Sequence, residues 1–145
     1  MKKIFIIIFS ILVVAGIFSC RKKGEMPNEA KLETALLKDT TKIEFLDTTT
    51  YWFDTIAEGD LAKHTFRIKN AGDKNLIIAS AFGSCGCTVP EWPKEPVKPG
   101  DIAEIHVTFN SSGKPNEISK NVTLVCNTTN RNELLYMKGF VKKKE

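Results

Sequence analysis

Two cysteines of this 145-residue chain stand one residue apart, in Ser84-Cys85-Gly86-Cys87-Thr88. On an extended strand such a pair shares one face, about 6.7 Å apart. A disulfide prefers a Cα separation of about 5.5–6 Å. Gly86 can bend the backbone enough to close that gap, and so tight a ring is easily reduced. Two thiolates at this spacing also suit a soft ion such as Cu(I) or Zn(II). A structural zinc site takes four ligands, and the rest of the domain offers only Cys126, His64 and His106. Three readings of the pair stay open: a bridge to Cys126 with one thiol spare, an exchangeable disulfide or metal pair, or a turn with no chemistry of its own.

Trp92 follows in Pro90-Glu91-Trp92-Pro93-Lys94-Glu95-Pro96. Prolines fix φ and remove backbone donors, so this is a stiff, extended segment that cannot pair as a central strand. Trp92, flanked by Pro90 and Pro93, either anchors a partner, as exposed aromatics do at binding hot spots, or folds back over the end of the fold. Asp54, Glu58, Asp60, Asp73 and Asp101 fall at turns and strand edges, with no spacing that pairs two of them as acid and base. No nucleophile elbow, phosphate-cradling loop or H-E-x-x-H helix occurs. The chain reads as a non-enzyme, and no cofactor is implied.

The elements that must position these residues begin after a leader. Lys2 and Lys3 precede an uncharged, mostly apolar run from Ile4 to Phe18, the layout of a signal peptide over residues 1–19. The run ends in Ile17-Phe18-Ser19-Cys20, which resembles a bacterial lipobox. By that resemblance Cys20 becomes the lipidated first residue of the mature protein, anchored in the cell envelope. Removing residues 1–19 takes away two lysines, and the formal charge falls from +4 to +2. So balanced a charge is no footprint for nucleic acid. Residues 20–41 are polar and charged and read as a tether, with a short helix over 29–38 that Asn28 would cap. No acidic cluster follows Cys20, so the anchor is expected to face the periplasm more than the cell surface.

From residue 42 to 145 the hydrophobic period changes to two. Ala62, His64, Phe66 and Ile68 share one face of a strand, and Ala103, Ile105, Val107 and Phe109 share one face of another. Val122, Leu124 and Cys126 do the same. Residues 76–82 form a near-continuous apolar run, read as a strand covered on both faces. About seven short strands with turn signals between them predict an all-β, immunoglobulin-like sandwich. Asn110, Asn121 and Asn127 each begin an N-x-S/T triplet and are read as turn and strand chemistry.

Phe53 with Glu58-Gly59, the F-x-x-K-N-x-G turn from Phe66 to Gly72, Ser84-Cys85-Gly86-Cys87-Thr88 and a strand ending in Asn127-Thr128 together resemble the DUF1573 family over residues 51–141. The resemblance implies an immunoglobulin-like sandwich of ASH and major-sperm-protein type, often carried on envelope lipoproteins, with no agreed activity. It points to a binding or assembly module, for which a protein or glycan partner is expected, while the Cys85-Gly86-Cys87 pair itself supplies the alternative, thiol redox or copper handling.

Overall fold

The computed structural model describes residues 38–145. The lipobox, Cys20 and nearly all of the expected tether helix lie outside that range. Among the described residues no helix is long and apolar enough to cross a membrane.

Among the described residues eight strands form: β1 (Ile43–Phe45), β2 (Thr50–Ala57), β3 (Leu61–Asn70), β4 (Ile78–Gly83), β5 (Thr88–Glu91), β6 (Ile102–Asn110), β7 (Asn116–Cys126) and β8 (Asn132–Lys142). They make two four-stranded sheets, in the orders β1-β3-β6-β5 and β2-β8-β7-β4. All neighbours are antiparallel except β2 and β8, which run parallel. The fold is therefore the expected all-β sandwich, with one strand more than the sequence count.

Alternation carries the core. Ala62, Phe66 and Ile68 of β3 and Ala103, Ile105, Val107 and Phe109 of β6 face Val122, Leu124 and Cys126 of β7 and Leu135, Met137 and Val141 of β8, and all are buried. Full burial of a large apolar side chain contributes about 1.5–3 kcal/mol, so these two central strand pairs hold the layers together.

The run at 76–82 departs from its reading. Leu76 and Ile78 are buried, but Phe82 is exposed, and β4 is an edge strand rather than a covered one. Its register slips between Ile78 and Ser80. A bulge of this kind breaks the two-residue parity, so apolar residues on either side of it reach opposite faces. A second bulge lies in β2, between Trp52 and Thr55, with Asp54 at φ 52. Phe53 lies in the core and Trp52 outside by ordinary alternation, and the extra residue lets Ile56, three positions on from Phe53, pack on the core as well. A Cβ on Gly139 would meet the Phe53 ring at 2.5 Å, so only glycine lets that ring lie on β8.

Candidate functional site

The cysteine pair sits where the chain leaves one sheet for the other. β4 ends at Gly83, opposite Val122 of β7, and β5 begins at Thr88, opposite Phe109 of β6. The crossing is tight: a Cβ on Gly83 would run into the Thr88 carbonyl oxygen. Backbone bonds hold the intervening turn, from Ser84 N–H to Asn121 O (2.9 Å), Thr88 N–H to Cys85 O (3.2 Å) and Asn110 N–H to Cys87 O (2.8 Å). Within this frame Cys85 and Cys87 are joined in a disulfide, with their Cα atoms 5.2 Å apart. Both are half-buried, and Gly86 between them is exposed. Thr88 is buried, and its hydroxyl lies 3.7 Å from the Cys85 sulfur and 4.0 Å from that of Cys87.

Cys126 is not part of this site. It pairs with Ile78, whereas the corner leaves β7 at Val122. Four residues of strand put about 13 Å between the two positions. The bridge to Cys126 allowed by the sequence is thus not made, and Cys126 is a buried free thiol. Burial, and secondarily the charge of Glu133, pushes that thiol up to about 12. As a neutral thiol it packs as a small hydrophobe.

His64 is elsewhere too. It lies on the inward side of β3, stacked on Tyr51 at 3.9 Å and edge-on to Phe66 at 4.5 Å. Partial burial lowers its pKa, against a smaller opposing pull from Asp47. His106 points outward, and its Nδ1 meets the Thr65 hydroxyl at 2.8 Å. Among the described residues no three His, Cys, Asp or Glu side chains gather as metal ligands would.

Trp92 does not project from its stiff segment. It is half-buried against the core, and its indole N–H donates to the Ile78 carbonyl at 3.1 Å. Lys94 covers its ring. Pro90 lies within β5, an edge strand where a missing donor is tolerated.

Exposed aromatic surface appears instead on the outer face of the β2-β8-β7-β4 sheet. Leu134, Tyr136, Lys138 and Phe140 alternate along β8. Trp52 pairs with Lys138, and Phe82 lies across Thr123 from Leu134. Trp52 is 61% exposed, Phe82 54%, Phe140 45% and Leu134 40%. Lys138 Nζ stands 5.5 Å from the Trp52 ring centre and 5.6 Å from that of Tyr136. Both faces of β8 carry apolar residues, so its sequence does not tell which face is covered.

A family model described as a protein of unknown function, DUF1573, matches residues 43–141. The chain belongs to the DUF1573 family. No curated protein matches it. Among solved structures it is similar to a protein of unknown function from Porphyromonas gingivalis W83, at 16% identity and a TM-score of 0.62. That match covers 70% of this chain and 47% of the other, so the chain spans about half its relative's length. It is also similar to the ASH / PapD-like domain 7 of human CEP192, with 12% identity, TM-score 0.55, and 73% and 89% of the two chains covered. A third likeness is to the secreted serine protease VesC from Vibrio cholerae, with 8% identity, TM-score 0.53, and 79% and 25% covered. Identities this low speak for the sandwich fold alone.

Three of the residues that carried the DUF1573 resemblance, Glu58, Asn70 and Asn127, turn out to be clasps. At one end, the Asn70 amide accepts from Thr41 Oγ1 (2.8 Å) and Gly72 N–H (3.2 Å) and donates to the carbonyls of Lys74 and Val97. Beside it, Asn127 accepts from Ile77 N–H (2.7 Å) and donates to the carbonyls of Asp39 (2.6 Å) and Asn75 (2.8 Å). At the other end, the Glu58 carboxylate accepts from Gly113 N–H and Lys144 N–H, and buried Ser111 is bonded to Ala57, Gly59 and Asp60. Sequence reasoning noted Asn70 and Asn127 as turn chemistry and overlooked Ser111, whose partners lie more than 50 positions away.

Proposed function

We propose that this DUF1573 chain is a non-enzymatic binding module of the bacterial cell envelope, held to the membrane by lipid on Cys20, and that its partner is a protein. The observation that carries the reading is the stripe of exposed Trp52, Phe140, Leu134 and Phe82, with half-buried Tyr136 among them, on one sheet face. Contiguous exposed apolar surface of this kind marks interaction sites. Aliphatic Leu134, beside Phe82 at one end of the stripe, favours a protein surface over a sugar strand. Lys138 at its centre matches a partner that offers a carboxylate within an apolar patch. The engagement of Glu58 with backbone amides supports a structural role for that carboxylate rather than a catalytic one.

A photo-crosslinking residue placed at 52 or 140 of the full chain in cells, with 106 on the opposite sheet as control, tests this. The expected result is one discrete protein adduct from both 52 and 140, none from 106, and loss of that adduct in Lys138→Glu. Equal adducts from 106, or co-sedimentation with purified wall glycan that Trp52→Ala abolishes, would overturn the protein reading. Palmitate labelling of wild type against Cys20→Ala tests the anchor separately, and an unlabelled wild type removes it.

A further inference from the structure

We propose that Cys85 and Cys87 form a thiol–disulfide exchange site, with Thr88 as the residue that positions a hydrogen bond on the leaving thiolate. Four observations carry this. The bridge spans only two positions, so it constrains the unfolded chain about as little as a disulfide can. Three backbone bonds hold the same turn without it. The pair is half-buried beside an exposed glycine, within reach of a second dithiol. Finally, the Thr88 hydroxyl is buried, and its hydrogen-bond partners are the two sulfurs. A disulfide sulfur is a weak acceptor, whereas a thiolate takes a charge-assisted bond. The hydroxyl thus favours the state that forms during reduction.

The step balances with a dithiol partner. Cys87 packs against the core and Cys85 does not, so a partner thiolate attacks the Cys85 sulfur. The Cys85–Cys87 bond breaks, a mixed disulfide forms, and Cys87 leaves as a thiolate that accepts from Thr88. The partner's second thiolate then attacks its own sulfur in the mixed disulfide and releases Cys85. Two electrons and two protons pass to the pair, and the partner becomes a disulfide. The bonds that anchor both cysteine carbonyls keep the thiols together for the reverse reaction.

The test uses the full chain in detergent micelles, equilibrated with graded ratios of reduced and oxidised dithiothreitol, then alkylated and weighed. Cys85 and Cys87, identified by peptide mass, should become alkylated together while tryptophan fluorescence reports an intact fold. Thr88→Val should move the equilibrium about tenfold toward the disulfide, or about 30 mV, and Thr88→Ser should stay within about twofold of wild type. Alkylation only on unfolding, or a folded Thr88→Val that titrates as wild type, overturns the proposal. If Thr88→Val does not fold, thiolate absorbance of the reduced wild type decides. One thiol ionising below the ordinary cysteine range of about 8.5 supports the site, and ionisation only at or above it overturns it.

Discussion

Trp92 hands its indole proton to the carbonyl of Ile78, 3.1 Å away, at the start of edge strand β4. An edge carbonyl that would otherwise face water or a foreign strand is thereby occupied by the chain's own proline-rich segment. Trp92→Phe should cost about 1 kcal/mol, the worth of one hydrogen bond. Trp92→Ala should cost about 2–4 kcal/mol, because packing goes as well. Urea unfolding measures both. An unchanged midpoint for Trp92→Ala would mean the ring is not holding the edge.

Asn127 joins three segments through one amide. Asn127→Ala should destabilise by about 3 kcal/mol, since buried backbone groups lose their partner. Asn127→Asp is the sharper probe. It keeps the acceptor for Ile77 N–H and loses both donors, so residues 38–41 should become open to protease before the rest unfolds. Cleavage no faster than in wild type would refute that clasp.

Cys126 makes stability fall in alkali. Its folded pKa, about 12, lies above its ordinary value of 9.0. Between those values the unfolded chain loses a proton that the folded chain keeps. Stability is therefore full below pH 9 and declines toward pH 12, by at most about 1.4 kcal/mol per unit. Denaturation midpoints at pH 8 and pH 10.5 should differ more in wild type than in Cys126→Ala. Equal differences would contradict the burial of the thiol. Under native conditions Cys126 should also resist thiol reagents that label it fully in denaturant.

His64 acts at the other end of the scale. Partial burial holds its folded pKa below the ordinary 6.5. The unfolded chain then takes up its proton first as pH falls, so His64 contributes stability above about pH 6.5 that is lost below it. His64→Phe, which keeps a ring against Tyr51, should lose less stability than wild type between pH 7 and 5. A steeper loss in the variant would reverse the sign assigned here.

Gly83 should tolerate no side chain. Gly83→Ala forces a Cβ onto the Thr88 carbonyl, so β4 and β5 must part. A cost of about 1–3 kcal/mol follows from such overpacking, measured as a drop in thermal midpoint. No drop would mean the crossing is looser than described.

The sandwich was legible because β3, β6 and β7 alternate without interruption, so parity alone sorts core from surface in them. β4 was not, because the slip after Ile78 changes parity inside a run that is apolar on both faces. The bulge at Asp54 acts in the same way in β2, where Phe53 and Ile56 reach one face although three positions apart. The cysteine pair was visible as a pair, but its isolation from Cys126 depends on a four-residue offset along β7 that only pairing defines. The direction of Trp92 was equally hidden, since prolines set the stiffness of a segment and not the side to which its ring turns.

The two clasped ends give the domain a direction. The described chain comes in at Asp39 and Thr41, seized by Asn127 and Asn70, while Glu58, Ser111 and Lys144 close the opposite end, the one nearer the cysteine corner. A pull on the incoming segment therefore meets two side-chain amides and the Thr41–Asn127 backbone bond before it reaches β1. The sandwich has a mechanical fuse at its entrance. Under tension the first few described residues would peel away, leaving the aromatic face and the sulfur corner undisturbed.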